Sequence, residues 1–451
     1  MLWRNITMLK ILRELIKEKD ILILGFGREG KSTLRRIRQA GGAASVTIAD
    51  QAGASPEDPS IKVISGPAYM DTMDDYDLVF KSPGVVLPKD PEYYQCQFTS
   101  QMEVFFTAYR DRIIGITGTK GKSTVTTLLY HILKENNRDV VLAGNIGIPA
   151  FDILEDIGSE TLLVCELSCH QLEYIHVSPH LAVLLNIHEE HLDHYGTMER
   201  YVHSKQQIYL HQKPEDMLFC GLEVLPETDT CQSRIYTVSD QCGVSDVWLD
   251  ELCIHFGQCD YEIPADNIHL LGHHNHIDIA FDYAICHTLG LSDAEFDAAL
   301  RTYHPLPHRL NLVGTREGVR YYDDSISTIC ETTIQALKSI PSVGSVLIGG
   351  MDRGIDYEEL IQFLSADQIP HIILMATTGK RIFDEIQQNY PDFGRPERLV
   401  LVDTLEEAVQ KAKELTASGA ACVLSPAAAS YGIFKNFEER GDVFRKLVFE
   451  S

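Results

Sequence analysis

Residues Arg112–His131 read RIIGITGTKGKSTVTTLLYH, and the fold is decided by this run. Ile113-Ile114-Gly115-Ile116 has the length and composition of a short buried strand. In the following TVTTLLYHIL the apolar residues recur at helical spacing. Between them lies Gly118-Thr119-Lys120-Gly121-Lys122-Ser123-Thr124, a glycine-rich turn opening a helix. Glycines let successive backbone N–H groups converge on phosphate oxygens, and the helix dipole adds positive potential there. In such a loop Lys122 reaches the β- and γ-phosphates of a nucleotide and Ser123 a Mg²⁺ ion. The full P-loop pattern would put a glycine at Ile116, so the match is to the shorter form Gly-Thr-Lys-Gly-Lys-Ser-Thr. An ordinary glycine-rich turn is the alternative, but Gly-Lys-Ser-Thr at a strand–helix junction favours a phosphate loop.

Towards the N-terminus a second glycine loop follows a second strand. Asp20-Ile21-Leu22-Ile23-Leu24 runs into Gly25-Phe26-Gly27-Arg28-Glu29-Gly30 and the helical KSTLRRIRQAG. The next apolar run, Val46–Ala49, ends in Asp50. This is a dinucleotide-type fingerprint with an acid about 20 residues beyond the loop. Leu78-Val79-Phe80 then leads into Lys81-Ser82-Pro83-Gly84, a turn at the carboxyl end of a strand, where open α/β sheets bind ligands. Residues 1–110 therefore read as one nucleotide-type domain. NAD is the default inference, but a second phosphate loop ninety residues later argues against a plain dehydrogenase.

Downstream, Leu162–Cys165 is a strand ending at Glu166, a carboxylate well placed to hold Mg²⁺. Leu181–Leu185 ends in Asn186-Ile187-His188-Glu189-Glu190-His191, another collection of metal-competent groups at a strand end. The helix after it carries Tyr201 and Lys205 one turn apart on one face. Residues 214–265 look strand-rich and carry no recognisable chemistry. Pro305 and Pro307 suggest a linker, and strands alternating with helices beyond it imply another parallel sheet.

With 451 residues the chain is expected to hold two to four domains. The 44% hydrophobic and 23% charged content is that of a soluble globular protein, and no apolar run approaches a membrane span. The N-terminal MLWRNITMLKILRELIKEKD reads as an amphipathic helix without a secretory cleavage site. Eleven scattered cysteines without a CxxC pair suit a reducing, cytoplasmic setting. A net charge of −26 argues against nucleic-acid binding, so a polyanionic ligand must be met by local cations or Mg²⁺.

GITGTKGKSTVTTLL, ELSCHQLE, NIHEEHLDHYG followed by YVHSK, GHHN, LPHRL, DDS, GGMDRG and LSPAAASYGIFKNFEERGDVF together resemble the Mur ligase family. The last run points to the branch that joins D-glutamate to UDP-N-acetylmuramoyl-L-alanine. The resemblance covers about residues 20–451 and implies an α/β protein of three domains. Residues 1–110 would be Rossmann-like and bind the UDP substrate. Residues 111–307 would be a P-loop ATPase-type domain with a parallel or mixed sheet. Residues 308–451 would be a second Rossmann-like domain that binds the amino acid.

The implied activity is ATP-dependent amide ligation through an acyl phosphate, by a monomer that inserts in no membrane. Gly118–Thr124, including Gly118, Thr119, Lys120, Gly121, Lys122, Ser123 and Thr124, would hold the ATP phosphates, with Asn275, Arg309 and Asp324 on the nucleotide side. Ser123 and Glu166 would hold one Mg²⁺, and His191 and Lys205 a second. Lys205 would be carbamylated, because an ammonium cannot ligate Mg²⁺ and a carbamate can. Without the resemblance, Lys205 is a solvated helix lysine and His191 a capping or core histidine. The Gly25–Gly30 loop, Asp50, Ser82–Gly84 and Asn145 would serve the uridine nucleotide. Thr328, Arg353, Ser430 and Phe437 would serve glutamate.

Some positions depart from the family pattern. Lys120, His170 and Asp278 stand where Asn, an aromatic residue and Asn are usual, and Ile326 replaces a lysine. Arg353 could engage a carboxylate bidentately. Rival readings are the same fold acting with L-glutamate, a folylpolyglutamate-type ligase, and a nucleotide-binding protein without catalysis.

Overall fold

The computed structural model describes residues 6–144, 148–227, 229–264, 270–366, 369–390, 393 and 398–450. The chain divides into two compact units, Met1–Ala265 with Ile277–Thr302, and Asp266–His276 with Tyr303–Ser451. The first unit opens with α1 (Ile6–Ile16), whose Met8, Leu12 and Ile16 recur every fourth residue and are fully buried. Then come β1 (Asp20–Leu24), α2 (Arg28–Ala40), β2 (Ser45–Asp50), β3 (Lys62–Ser65), β4 (Leu78–Lys81), β5 (Gln97–Thr99) and α3 (Gln101–Tyr109). These strands form a parallel sheet in the order β3-β2-β1-β4-β5. The strand order reverses at β1, so the Gly25–Gly30 loop sits at the topological switch point, where such sheets leave a crevice. Ser100 caps α3 by accepting from the Glu103 backbone N–H.

The second sheet belongs to the same unit. It begins with β6 (Ile113–Thr117), α4 (Lys122–Glu135), β7 (Val140–Gly144), β8 (Leu162–Glu166), α5 (Cys169–Leu172), β9 (Leu181–Leu184), α6 (Leu192–Tyr195) and α7 (Met198–Leu210). It continues with β10 (Met217–Gly221), β11 (Arg234–Ser239), β12 (Val247–Asp250), β13 (Cys253–Phe256) and β14 (Cys259–Glu262). The order is β14-β13-β12-β11-β10-β9-β6-β8-β7, parallel from β12 to β7, with β13 and β14 antiparallel at one edge. All five residues of β6 are buried, as expected for a central parallel strand covered on both faces. Two further helices, α8 (His273–Thr288) and α9 (Asp293–Thr302), follow, and the division between the two units falls inside α8.

One apolar core runs under both sheets of this unit, from Met8 through Phe105 and Phe151 to Leu163 and Leu184. Arginines of α2 pin the junction: Arg36 Nε donates to the Phe151 carbonyl at 2.6 Å, and Arg35 pairs with Asp152 at 2.7 Å.

The second unit holds β15 (Asn311–Arg316), β16 (Val319–Asp323), α10 (Cys330–Ser339), β17 (Val343–Gly349), α11 (Glu358–Ala366), β18 (His371–Met375), α12 (Ala376–Asn389), β19 (Leu399–Val402), α13 (Leu405–Leu415), β20 (Ala421–Leu424) and α14 (Phe437–Phe449). The sheet order is β15-β16-β20-β17-β18-β19, parallel except for the β15 edge. One sheet thus falls within each of the stretches 1–110, 111–307 and 308–451. The α/β class with parallel and mixed sheets is as expected. The edge strand β15 was not anticipated: Gly314 and the register shift beside it break its alternation. Among the described residues no helix is long and apolar enough to cross a membrane.

β17 ends in Gly349 at φ +134°, where a Cβ would lie 1.9 Å from the Met375 carbonyl oxygen. Both the backbone angle and the space exclude a side chain. Gly349→Ala should therefore destabilise the second unit by about 2–4 kcal/mol. An unchanged midpoint in chemical denaturation followed by circular dichroism would contradict this packing.

Candidate active site

The loop between β6 and α4 is held in place from the end of β9. Asn186 Oδ1 accepts the backbone N–H groups of Lys120 at 2.8 Å and Thr119 at 3.1 Å, and its Nδ2 donates to the Lys120 carbonyl. The Thr119 hydroxyl meets Tyr201 Oη of α7 at 2.9 Å and accepts the His188 N–H at 2.9 Å. Gly121 has φ +83°, and a Cβ there would fall 2.6 Å from Asp278 Oδ1 of α8. The loop is therefore a close-fitting backbone cradle at the N-terminus of a fourteen-residue helix.

Two ammonium groups converge on one carbonyl of this cradle. Lys122 Nζ donates to the Gly118 and Thr119 carbonyls, both at 2.9 Å. Lys205 Nζ, from α7, donates to the Gly118 carbonyl at 2.7 Å. Lys205 is 1% exposed. Burial, and then the charge of Lys122, push its pKa down to about 7. A sizeable neutral fraction follows at neutral pH, which an exposed lysine would lack.

Lys122 and Lys205 open into a cavity of ≈ 440 Å³ lined also by Thr119, Ser168, His170 and His191, among others. His191, at φ +58°, starts α6 and is half exposed. His170 is driven down to about 4, first by burial and then by His194 and His191. Ser123 and Glu166 are not among the lining residues. Glu166 is buried at the end of β8, beside Ile116 of β6 and Gly144 of β7.

A second cavity, of ≈ 400 Å³, shares Pro83, Gly84 and Ser168 with the first. It gathers Gly25, Phe26, Gly27, Arg28, Glu29, Asp50 and Ser82 with Gly144 and Gln171. Asp50 does not point freely into it, because its Oδ2 accepts the Phe26 N–H at 2.7 Å. Gly30 packs against the loop start, where a Cβ would meet the Gly25 carbonyl oxygen at 2.2 Å. Burial raises the pKa of Glu29, against the Gln171 amide bonded to it at 3.0 Å. Lys81 and Glu173 form a buried pair at 3.1 Å. Asn145 lies outside the described residues.

The remaining candidates belong to the second unit. Asn275 is buried and donates to the Leu271 carbonyl at 2.6 Å. Asp324 Oδ1 accepts the Leu310 N–H at 3.2 Å, and Asp324 Oδ2 the Ser425 hydroxyl at 2.7 Å. Burial raises the Asp324 carboxyl to about 6. Arg309 follows His308 in the turn before β15, and Arg353 is exposed and donates to the Thr328 carbonyl at 2.9 Å. Ser430 is buried, and the Phe437 carbonyl accepts the Ser325 hydroxyl at 2.8 Å. Ile326, where a lysine was expected, follows Ser325, and its N–H donates to the His308 carbonyl.

A match to the family model for the Mur ligase middle domain spans residues 116–279. A UDP-N-acetylmuramoylalanine–D-glutamate ligase from Symbiobacterium thermophilum is 32% identical, over 86% of this chain and 87% of the relative. A ligase of the same name from Acetivibrio thermocellus is 31% identical over 98% of both chains. The chain belongs to the Mur ligase family. Its fold is also that of solved Mur ligases. Thermotoga maritima MurF in complex with ADP aligns over 97% of both chains with a TM-score of 0.56 at 18% identity. UDP-N-acetylmuramate–alanine ligase from the same organism covers 94% of this chain and 98% of its own, with a TM-score of 0.57 at 17% identity.

In this Mur ligase two residues inside the quoted motifs have a positioning part that the motifs alone do not show. Asn186 is one polar residue at a strand end, and only its 66-residue reach to the loop reveals it as a clamp. Arg440, 1% exposed, donates to the Ser325 hydroxyl, the Ser325 carbonyl and the Ala428 carbonyl. It ties the loop after β16 to the one after β20.

His308 Nδ1 stands 2.6 Å from Asp323 Oδ2 and is mostly buried. That hydrogen bond raises the His308 pKa above its ordinary value, against burial, with Asp442 and Glu438 adding to it. A raised histidine stabilises the fold fully below its unfolded pKa, roughly 6.5, and loses that stabilisation as pH rises through the folded value. Asparagine tolerates the left-handed backbone at this position. The protection of β16 amides in the wild type over His308→Asn, read by hydrogen exchange at matched pH, should be largest near pH 6 and shrink above it. A pH-independent difference would rule out a charged His308 pair.

Proposed function

We propose that this chain is an ATP-dependent carbon–nitrogen ligase that joins D-glutamate to UDP-N-acetylmuramoyl-L-alanine, in the cytoplasmic synthesis of peptidoglycan precursors. The observation that carries the reading is the meeting of Lys122 and Lys205 on the Gly118 carbonyl, at the mouth of a cavity adjoining the Gly25–Gly30 crevice. The free cysteines support a reducing compartment.

The chemistry follows from the electrophile required. A carboxylate resists attack by an amine until one oxygen becomes a leaving group. The terminal carboxylate of the UDP substrate takes the γ-phosphoryl group of ATP, and ADP leaves. The amine of glutamate then attacks the acyl phosphate, and inorganic phosphate leaves. Negative charge gathers in both steps, so positioned cations and backbone N–H groups do the stabilising. Lys122 would release the loop carbonyls and meet the β- and γ-phosphates. The close approach at Gly118 and Gly121, where any Cβ would clash, suits a loop that wraps phosphate oxygens. Asn275, Arg309 and Asp324 are proposed for the rest of the nucleotide. The crevice of Gly25–Gly30, Asp50 and Ser82–Gly84 is proposed for the uridine diphosphate. Thr328, Arg353, Ser430 and Phe437 are proposed for glutamate, with Arg353 in place of the missing lysine at Ile326.

Ser123 and Glu166 offer the hydroxyl and carboxylate oxygens that suit Mg²⁺, His191 is proposed as a weaker nitrogen donor beside them, and an ammonium at Lys205 cannot serve. Bound Mg²⁺ would neutralise developing phosphate charge. Lys205 fits once its neutral amine takes up CO₂, giving a carbamate and releasing a proton. Its burial and depressed pKa favour the neutral amine that this needs.

The test of the reading is phosphate release with ATP and UDP-N-acetylmuramoyl-L-alanine while D-glutamate, L-glutamate, L-lysine and D-alanine are exchanged. D-Glutamate alone should support turnover, and Lys122→Ala should bring it to background with the fold intact by circular dichroism. Preference for another amino acid would overturn the substrate, and release independent of any amino acid would overturn the ligase.

The carbamate has its own consequence. Lys205→Ala should be nearly inactive and regain part of its rate from acetate, which fills the vacated space with a carboxylate. Lys205→Arg should stay inactive, because it keeps the wrong charge. Wild-type activity should fall below about pH 7, where the amine is protonated, and in CO₂-depleted buffer. The measurement is phosphate release across an acetate series with chloride at matched ionic strength. Full activity of Lys205→Ala without acetate would remove the role.

A further inference from the structure

The active-site cavity has a wall of three metal-competent side chains, of which the proposed ligase reaction uses only His191. Cys169 and His170 are the first two residues of α5, placed there by a capping box between Ser168 and Gln171. Cys169 Sγ and His170 Nδ1 stand 3.6 Å apart. His191 comes to the same point from the start of α6, with its ring centroid 4.8 Å from that of His170. One donor atom from each of Cys169, His170 and His191 lies within 4.8 Å of the other two. The Cys169 thiol is free and buried, and all three residues line the cavity that holds Lys122 and Lys205.

We propose that Cys169, His170 and His191 form a binding site for a thiophilic divalent cation of the Zn²⁺ class, separate in chemistry from the Mg²⁺ that serves ATP. With metal–sulfur and metal–nitrogen bonds of about 2.3 and 2.0–2.1 Å, sulfur and nitrogen on a tetrahedral ion stand roughly 3.6 Å apart. The Cys169–His170 pair already has that separation. His191 is half exposed and needs only a side-chain adjustment to complete three ligands. The fourth position faces the cavity and is left to water or a substrate oxygen. Binding deprotonates the thiol, so one proton passes to solvent for each ion taken up. The two lysines oppose a dication, but the thiolate formed and the Glu190 carboxylate, 3.8 Å from His191, offset them. A sulfur and two imidazoles favour a borderline-soft ion over Mg²⁺, which prefers oxygen. Occupation would take His191 away from the ligase reaction, so the site would be inhibitory.

The test uses the full-length, reduced, metal-free chain and Co²⁺ as a spectroscopic probe, with no ATP present. The wild type should bind one Co²⁺ with a thiolate-to-cobalt charge-transfer band and the visible bands of a four-coordinate ion, both abolished by equimolar Zn²⁺. Cys169→Ser should lose the charge-transfer band, and His170→Phe should bind at least tenfold more weakly. Both substitutions nearly conserve size, and circular dichroism checks that they fold. An unchanged band in Cys169→Ser would assign the thiolate to another cysteine and overturn the site, as would the absence of four-coordinate Co²⁺ in the wild type. In Mg²⁺–ATP turnover, each protein normalised to its own rate, Zn²⁺ should inhibit the wild type at a tenfold lower concentration than His170→Phe. Equal sensitivity would overturn the inhibitory role. The Co²⁺ spectra stand whatever substrate the ligase takes, so failure of that reading and of this one are distinguishable.

Discussion

Two lysines hydrogen-bonded to one carbonyl oxygen cannot both hold their charge without cost. Lys122 and Lys205 meet at Gly118, and Lys205 is the more buried of the two. The interior destabilises its ammonium form, and the neighbouring charge does so further. The tension is tolerable because β6, buried along its whole length, fixes where the carbonyl points, while α7 fixes where Lys205 begins. A polyanion entering the cavity would relieve it by giving Lys122 a better partner than a backbone carbonyl. The site is thus prepared for negative charge in a chain whose net charge of −26 would otherwise repel it.

The same device fixes a loop in each of the three sheets. An oxygen-bearing side chain at the carboxyl end of one strand accepts backbone N–H groups from the loop after another element. Asp50 accepts from Phe26, Asn186 from Thr119 and Lys120, and Asp324 from Leu310. Each bond satisfies a donor that a tight glycine-rich or proline-rich turn leaves without a helical or strand partner. It also explains why Asp50, which by spacing looks like a ribose ligand, spends one oxygen on its own loop. The acid sits where a dinucleotide fingerprint puts it, but its present work is to shape the crevice.

What was legible in the sequence was local. The strand–glycine loop–helix units at Gly25 and Gly118 announce themselves through composition and period, because the turn demands glycine and the buried strand demands apolar residues. Glu166 and the His188–His191 run are visible because polar groups end apolar strands. Contacts that depend on long separations were not legible. Lys205 reaches back 87 residues to Gly118, and Arg440 reaches 115 to Ser325. The YVHSK and EERGD runs mark the two residues by resemblance, but the spacing and composition around each fit a solvated helix cation, and burial is a property of the assembled fold. The resemblance implied that His191 and Lys205 act together beside the phosphate loop, whereas a cavity that they share with Lys122 and whose lining lacks Ser123 and Glu166 is visible only in the folded chain.

The cavity is therefore built from two kinds of donor. On one side are the loop hydroxyls and Lys205, which in the proposed reading becomes a carbamate and completes a set of hard oxygen donors. On the other are Cys169, His170 and His191, a softer set that α5 and α6 bring together. In the proposed readings His191 belongs to both. Cavity size cannot separate the ions, since one space serves both sides. Discrimination must rest on ligand softness and on which ion is abundant. High free Mg²⁺, escorted by a nucleotide, favours the oxygen side by mass action, while a scarce but tightly held ion favours the sulfur side. The histidine shared by the two proposed sets sits at the exposed start of a one-turn helix, half open to solvent and bounded by the His170 and Tyr201 rings at 4.8 and 6.2 Å, so a rotation from one side to the other must slide past these rings.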